Sequence, residues 1–283
     1  DHVYVLHHPD EERKACRPLR TAPCYDRMKA NGAQFGCVNG WERPNYFAST
    51  SFDDEGARSF RRGGWWKYAV EEATAIRKNI GMIDASAFTK HMIKGPGATK
   101  FLDWFTCNKL PRVGRLNLTY ALTSHGTTRT EFTIIRLSED TYYLVSAGAW
   151  TDYDSDYLLK KAEEKISDYG YIEIADCTNQ WGVFAIAGPN SRKFLSKIVK
   201  TADVSSFLSN ATFPWLSYRR VELAMCPVNA ARVAYTGELG WELHHPVEMQ
   251  NYLFDKLLEV GAEFDLKLVG ARAQNWLRLE KSY

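Results

Sequence analysis

Apolar positions recur along this chain with two different periods, and the changes of period divide it into elements. From Trp65, the segment WWKYAVEEATAIRKNIGMID places Ala69, Ala73, Ile76 and Ile80 at helical spacing, which predicts a helix ending near Gly81. A strand over 91–94 then leads through Gly95-Pro96-Gly97 into a helix over 98–106. Two β-rich runs, 116–123 and 129–137, are separated by Ser124-His125-Gly126-Thr127 and followed by a third at 141–146, an antiparallel group. A helix over 151–167 comes next, with Thr151 as its cap and acidic residues in its first turn. Strands over 171–175 and 181–187 precede a helix that opens after Gly188-Pro189, where proline suits the first turn. Helices over 247–261 and 270–283 follow a hairpin centred on Gly237.

The string strand, Gly-Pro, helix occurs twice, as MIKGPGA over 92–98 and AIAGPNS over 185–191. This echo, with strand groups and single helices alternating around it, predicts two related α+β halves. The first sixty residues differ. Arg, Pro, Gly and aromatic residues punctuate short segments there, so 1–60 reads as a connecting arm packed on a larger body over 61–283.

The hairpin carries the first candidate chemistry. If Thr236 and Trp241 close a four-residue loop, Ala234, Thr236, Trp241 and Leu243 share one face, while Val233, Tyr235, Glu242 and His244 share the other. Tyr235 then sits directly across from Glu242. A carboxylate beside an aromatic wall can accept paired hydrogen bonds from the edge of a flat heterocycle while the ring stacks. Spacing alone fits an ordinary surface hairpin better.

Composition narrows the classes. With 283 residues, 45% hydrophobic and 13% aromatic, the chain can bury a large core. A formal charge of +2 gives no electrostatic reason to expect nucleic acid, and no apolar run approaches a bilayer span. The six cysteines lack zinc spacing and read as free thiols in a reducing compartment. No Gly-x-Gly-x-x-Gly follows a strand, so a flavin or dinucleotide has no place in this chain.

An ordered set of strings resembles the folate-binding portion of the dimethylglycine dehydrogenase and sarcosine dehydrogenase family, related to the aminomethyltransferase of the glycine cleavage system. These are RPLRTAP over 17–23, Gly32-Ala33 with Phe35, GWERP over 40–44, AGPNSR over 187–192, YTGELGWE over 235–242 and LRLEK over 277–281. The resemblance implies α+β subdomains around a central cavity for tetrahydrofolate. It carries Tyr235 and Glu242 over as pterin contacts, with Leu243 and His244 as further wall positions. The family's reactive carboxylate follows a Gly-x-x-x-x-Asp/Glu-x-Thr pattern, which places Glu131 as the catalytic group, beside Phe132 and Thr133. One departure is that Ala273-Gln274-Asn275 stands where the glycine-cleavage enzyme has Ala-Arg-Asp, so a folate-clamping arginine is missing.

The resemblance also implies a piece of a longer polypeptide, with an FAD-bearing flavin domain before this chain and a β-rich terminal barrel domain after it. The implied chemistry is capture of the carbon of an N-methyl amine, as an iminium or formaldehyde, to give 5,10-methylene-tetrahydrofolate. The flavin domain of the same polypeptide would supply that carbon. In this scheme Glu131, partly buried, removes a proton during attack. A bacterial cytoplasm or a mitochondrial matrix suits such an enzyme. The alternatives are a non-catalytic regulatory module of the same fold and a stand-alone aminomethyltransferase or demethylase.

Overall fold

The computed structural model describes residues 4, 6–9, 11–49, 51–53 and 58–283. Helix α1 (Tyr25–Ala30) and strands β1 (Ala33–Val38) and β2 (Trp41–Phe47) open it, and α2 (Trp66–Lys78) leads to β3 (Gly81–Asp84), β4 (Thr89–Lys94) and α3 (Ala98–Phe105). The meander β5 (Leu116–Leu122), β6 (Thr128–Ser138) and β7 (Thr141–Ser146) precedes α4 (Thr151–Tyr169), β8 (Glu173–Asp176) and β9 (Trp181–Ala187). Then come α5 (Ser191–Ile198), α6 (Val204–Phe207), a second meander of β10 (Tyr218–Leu223), β11 (Cys226–Ala231) and β12 (Gly240–Pro246), α7 (Gln250–Gly261), β13 (Lys267–Leu268) and α8 (Ala271–Glu280). Among the described residues no helix is long and apolar enough to cross a membrane, and all six cysteines are free.

The expected duplication is visible in the strand order. A five-stranded sheet runs β5-β6-β7-β4-β8, and a six-stranded sheet runs β10-β11-β12-β9-β3-β13. In each, a strand ending in Gly-Pro leads through a helix into a meander whose last strand returns to pair with it antiparallel: β7 with β4, β12 with β9. The lead-in strands are exchanged. β3 precedes β4 in sequence but pairs with β9, and β8 precedes β9 but pairs with β4. The exchange repeats at atomic detail, since Asp84 Oδ1 accepts from Ser86 N at 2.9 Å and Asp176 Oδ1 accepts from Thr178 N at 2.8 Å. Ser86 Oγ in turn accepts from Val183 N at 3.0 Å, and Thr178 Oγ1 accepts from Lys90 N at 3.0 Å. The fully buried Lys90 ties both turns together through Nζ, which donates to Ser86 O at 2.7 Å, Phe88 O at 2.8 Å and Thr178 O at 3.3 Å.

The two Gly-Pro glycines explain why the string recurs. Gly95 (φ 115°) and Gly188 (φ 131°) both lie in the left-handed region, and a Cβ there would sit 2.7 Å from Tyr171 O or 2.4 Å from Asn79 O. Helices cover the outer face of each sheet. Phe132, Ile134 and Leu144 pack under α3 and α4 with Phe101, Leu102 and Leu158. Phe184, Ile186, Trp241 and Leu243 pack under α5 and α7 with Phe194, Leu253 and Phe254. The inner faces meet through Ile135, Tyr143 and Met92 on one side and Ala231, Tyr218 and Val233 on the other. Beside that contact, Ile83, Ala185 and Ala187 of the six-stranded sheet pack under α2 and α8.

The predicted elements are found within a few residues of their expected bounds, but β1, β2, β3, β10 and β11 lie where the periodicity predicts no strand, and Pro189 precedes the N-cap Asn190 of α5 instead of lying in its first turn. Thr151 does not cap α4; Trp150 is the N-cap, and Thr151 Oγ1 instead donates to Gly148 O at 3.0 Å and meets Thr89 Oγ1 at 2.6 Å. A polar partner on β4 outcompetes the local capping bond. The opening segment forms α1 and the β1-β2 hairpin, and it is joined to the body by Glu72 of α2. That buried carboxyl accepts from Phe47 N at 2.6 Å and Gly270 N at 2.8 Å, joining β2 to the start of α8.

Burial pushes the Glu72 carboxyl up to about 8, against the opposing pull of its two backbone bonds, from an ordinary 4.5. Between those values the folded chain keeps a proton that the unfolded chain has lost, so this group's contribution to stability falls as pH rises through the window from 4.5 to 8. Urea denaturation at pH 5 and pH 8 should therefore show a stability loss in the wild type that Glu72→Gln reduces; an identical pH slope in the variant would contradict it.

Candidate functional site

Period-two alternation decides which side chains reach the space between the sheets. On β6, Glu131, Thr133 and Ile135 share a face, and Ile135 belongs to the inter-sheet contact. On β12, Glu242 and His244 share a face, and His244 meets Tyr143 of the opposite sheet, Tyr143 Oη to Nδ1 at 3.2 Å. The structure thus assigns both carboxylates, Glu131 and Glu242, to inward-facing positions on opposed sheets.

Neither carboxylate pairs with a lysine or arginine among the described residues. Glu242, with its side chain 23% exposed, has His244 Nε2 at 3.5 Å as its charged-capable neighbour. Glu131 is exposed, so the partial burial expected of it is absent in this unliganded fold. Its partner is Tyr120, directly across on β5, whose phenol is raised above its ordinary value first by the hydrogen bond to Glu131 and then by the charge. Sequence reading missed Tyr120, although counting back from the turn at Gly126 puts it opposite Glu131. It missed Tyr143 too, because that contact joins two sheets and leaves no local signal.

The hairpin register differs from expectation. Glu242 pairs with Ala231, Leu243 with Ala230 and His244 with Asn229, so Tyr235 does not face Glu242. Arg232 continues the ladder on the β10 side, its N donating to Ser217 O at 2.8 Å and its carbonyl accepting from Leu216 N at 3.0 Å, while Val233 N turns back to Ala231 O at 3.0 Å and so ends the pairing with β12 at Ala231. Residues 232–239 then form a longer connection, turned at Gly237 (φ 72°), whose N–H donates to Ala234 O at 3.2 Å. Glu238 fastens that loop to Arg77 at 3.0 Å and Lys281 at 3.5 Å. Tyr235 is 45% exposed, its ring lying over that of Tyr283 with centroids 6.5 Å apart.

Three other predicted positions are split by the same alternation. Thr133 lies on the inner face between Leu118 and Val145. Phe132 and Leu243 point outward into the two helix-covered cores, with exposures of 0% and 1%, so their side chains line no surface shared with Glu131 or Glu242. Only their backbone groups remain near it. A cavity of about 290 Å³ opens at the 232–239 loop, lined by Trp215, Val233, Glu238, Gly240 and Tyr283; Glu131 and Glu242 are not part of its wall.

These features define a class: an α+β protein of two strand-exchanged halves with a carboxylate on each facing sheet. The family described as "GCVT N-terminal domain" matches residues 24–283, and the chain belongs to that family. It is 33% identical over 280 residues to "Dimethylglycine dehydrogenase, mitochondrial" of Rattus norvegicus, covering 99% of this chain and 32% of that protein. It is also 28% identical over 302 residues to "Pyruvate dehydrogenase phosphatase regulatory subunit, mitochondrial" of Mus musculus, covering 99% of this chain and 32% of that protein. The solved glycine cleavage system aminomethyltransferase T from Bartonella henselae shares the fold, with a TM-score of 0.73 at 23% identity over 94% of this chain and 63% of that one. The domain is thus of the aminomethyltransferase type, and it spans about a third of the length of the curated relatives just named.

The opposed orientation of neighbouring side chains is directly testable. Leu243→Ala should cost about 2–5 kcal/mol, the range for emptying a buried leucine site, whereas Glu242→Gln should leave the urea midpoint nearly unchanged. Equal losses in the two variants would contradict the facing assigned to β12.

Proposed function

We propose that this domain binds tetrahydrofolate between its two sheets and transfers a one-carbon unit to it. The observation that carries this reading is the pair of inward-facing carboxylates, neither of which has a lysine or arginine partner among the described residues. Leaving the largely buried Glu242 carboxylate without a firm donor is costly. A pterin edge presents two neighbouring N–H donors in one plane, which match the two oxygens of Glu242. Thr133 and the backbone beside Phe132 and Leu243 would complete the wall. Tyr235 reaches the ligand from the 232–239 loop, and its contact with Tyr283 would have to give way.

Tetrahydrofolate supplies the nucleophilic amine nitrogen. The negative charge of Glu131, on the opposite sheet, would stabilise a cationic carbon donor before attack, and Glu131 would accept the proton that this nitrogen loses. The donor's C–N bond then breaks as the second folate nitrogen closes the ring, the amine leaving with that nitrogen's proton, or water leaving when the donor is formaldehyde. The Tyr120 hydroxyl keeps the carboxylate oriented before the ligand arrives. Ligand binding over Glu131 would supply the burial that the free domain lacks. Holding amine and donor in register contributes further, since orientation alone can be worth several powers of ten. No arginine stands at Gln274, so the carboxylates and the walls carry the binding.

The donor in this scheme is an N-methyl amine of the dimethylglycine or sarcosine type, oxidised by an FAD domain of the same polypeptide to an iminium or formaldehyde. Likeness to dimethylglycine dehydrogenase across 99% of the chain supports that partnership. A bacterial cytoplasm or a mitochondrial matrix would house it. Likeness to a phosphatase regulatory subunit supports a non-catalytic module as the second reading, and the retained pair Glu131 and Glu242 weighs against it.

Glu131→Gln should bind tetrahydrofolate with near-normal affinity yet form 5,10-methylene-tetrahydrofolate from formaldehyde roughly 10²- to 10⁴-fold more slowly, the usual loss of a general base. Calorimetric titration and a stopped-flow assay of methylene transfer separate the two quantities. Unchanged transfer would remove Glu131 from the mechanism, and absence of saturable binding to the wild type would favour the regulatory module.

A further inference from the structure

The space between the sheets holds a polar chain that neither carboxylate assignment uses. Tyr143, on β7, and His244, on β12, are buried, with rings set edge to face at 5.4 Å and 86°. The Tyr143 hydroxyl lies 3.2 Å from His244 Nδ1. The second ring nitrogen, Nε2, lies 3.5 Å from Glu242 Oε2 and makes no hydrogen bond in the unliganded fold.

The proton's place follows from the neighbours. Burial, followed by the nearby Cys177, Glu242 and Tyr218, pushes the Tyr143 phenol well above its ordinary value, so it stays a donor. A neutral imidazole that accepts at Nδ1 carries its hydrogen on Nε2. The reverse tautomer would aim a lone pair at a carboxylate in a poorly solvated place, which is unfavourable. Nε2–H is then the donor beside Glu242 Oε2, 3.5 Å away, and a small movement of the carboxylate is needed to make the bond.

We infer that Tyr143 and His244 are positioning residues that hold the Glu242 carboxylate in the orientation that receives the pterin edge. This rests on the reading of Glu242 as the pterin acceptor given above. A single bond from Nε2–H to one oxygen of Glu242 leaves lone pairs on both oxygens for two further N–H donors. The relay starts on the five-stranded sheet and ends on the six-stranded sheet. It therefore ties the orientation of the pterin-holding group to the sheet that carries Glu131.

Three readouts on the full 283-residue chain test the relay. Tetrahydrofolate affinity is measured by anaerobic calorimetry for wild type, Tyr143→Phe, Glu242→Gln and the double variant, with melting curves confirming folding. Tyr143→Phe should weaken binding about three- to tenfold, the worth of one hydrogen bond, and should add almost nothing once Glu242 is Gln. Methylene transfer at saturating tetrahydrofolate should stay unchanged in Tyr143→Phe, so that KM rises and kcat does not. Imidazole ¹⁵N shifts should show His244 as the Nε2–H tautomer in wild type and a mixture in Tyr143→Phe. Unchanged affinity in Tyr143→Phe, additive losses in the double variant, or a wild-type Nδ1–H tautomer would each overturn the relay while leaving Glu242 as the acceptor. Glu242→Gln binding as well as wild type, or no binding by the wild type, would instead overturn the underlying folate reading and leave the relay without its target.

Discussion

The exchange of β3 and β8 between the halves is the constraint on which the rest of this structure depends. Each sheet is incomplete without a strand whose sequence neighbour belongs to the other sheet. The turns that follow, Asp84-Ala85-Ser86 and Asp176-Cys177-Thr178, repeat the same side-chain bonds, and Lys90 joins them through three carbonyls. An ammonium placed there is tolerable because its donors are met. The exchange keeps the halves from separating as independent units and presses part of their inner faces together.

That pressure creates the site. Ile135, Tyr143, Ala231 and Tyr218 close the contact between the sheets; Glu131, four residues back from Ile135 on β6, is exposed, and Glu242, across from Ala231 on β12, is partly exposed. The two carboxylates stand on separate sheets with a phenol behind one and an imidazole behind the other. Neither is neutralised by a lysine or arginine among the described residues, which keeps its acceptor capacity for a ligand. Loop 232–239 borders this region, held by the ion pairs of Glu238 and ending where Gly240 begins β12.

Much of this was legible in the sequence because it rests on local period and turn chemistry. The three strands of the first meander, the recurrence around Gly95 and Gly188, and the shared facing of Glu242 and His244 all follow from alternation and from backbone conformations that glycine alone adopts easily. The misplaced features share a different cause. A two-strand hairpin puts Tyr235 across from Glu242, whereas Val233 N turns back to Ala231 O and ends the pairing with β12 there. Thr151 was given a capping role that a contact with Thr89 removes. The side chains of Phe132 and Leu243 point away from the proposed surface, as the alternation that places Glu131 and Glu242 on it requires. Tyr143 could not be found locally, since its significance lies in a contact across 101 residues.

If the inner faces of the two sheets jointly hold the folate, the position of the bound ligand will show it. A crystal structure of the domain with tetrahydrofolate should place the pterin N–H edge within hydrogen-bond distance of both Glu242 oxygens and the reactive amine nitrogens next to Glu131. A pterin seated instead in the cavity lined by Trp215, Glu238 and Tyr283, with Glu131 and Glu242 untouched, would contradict the account.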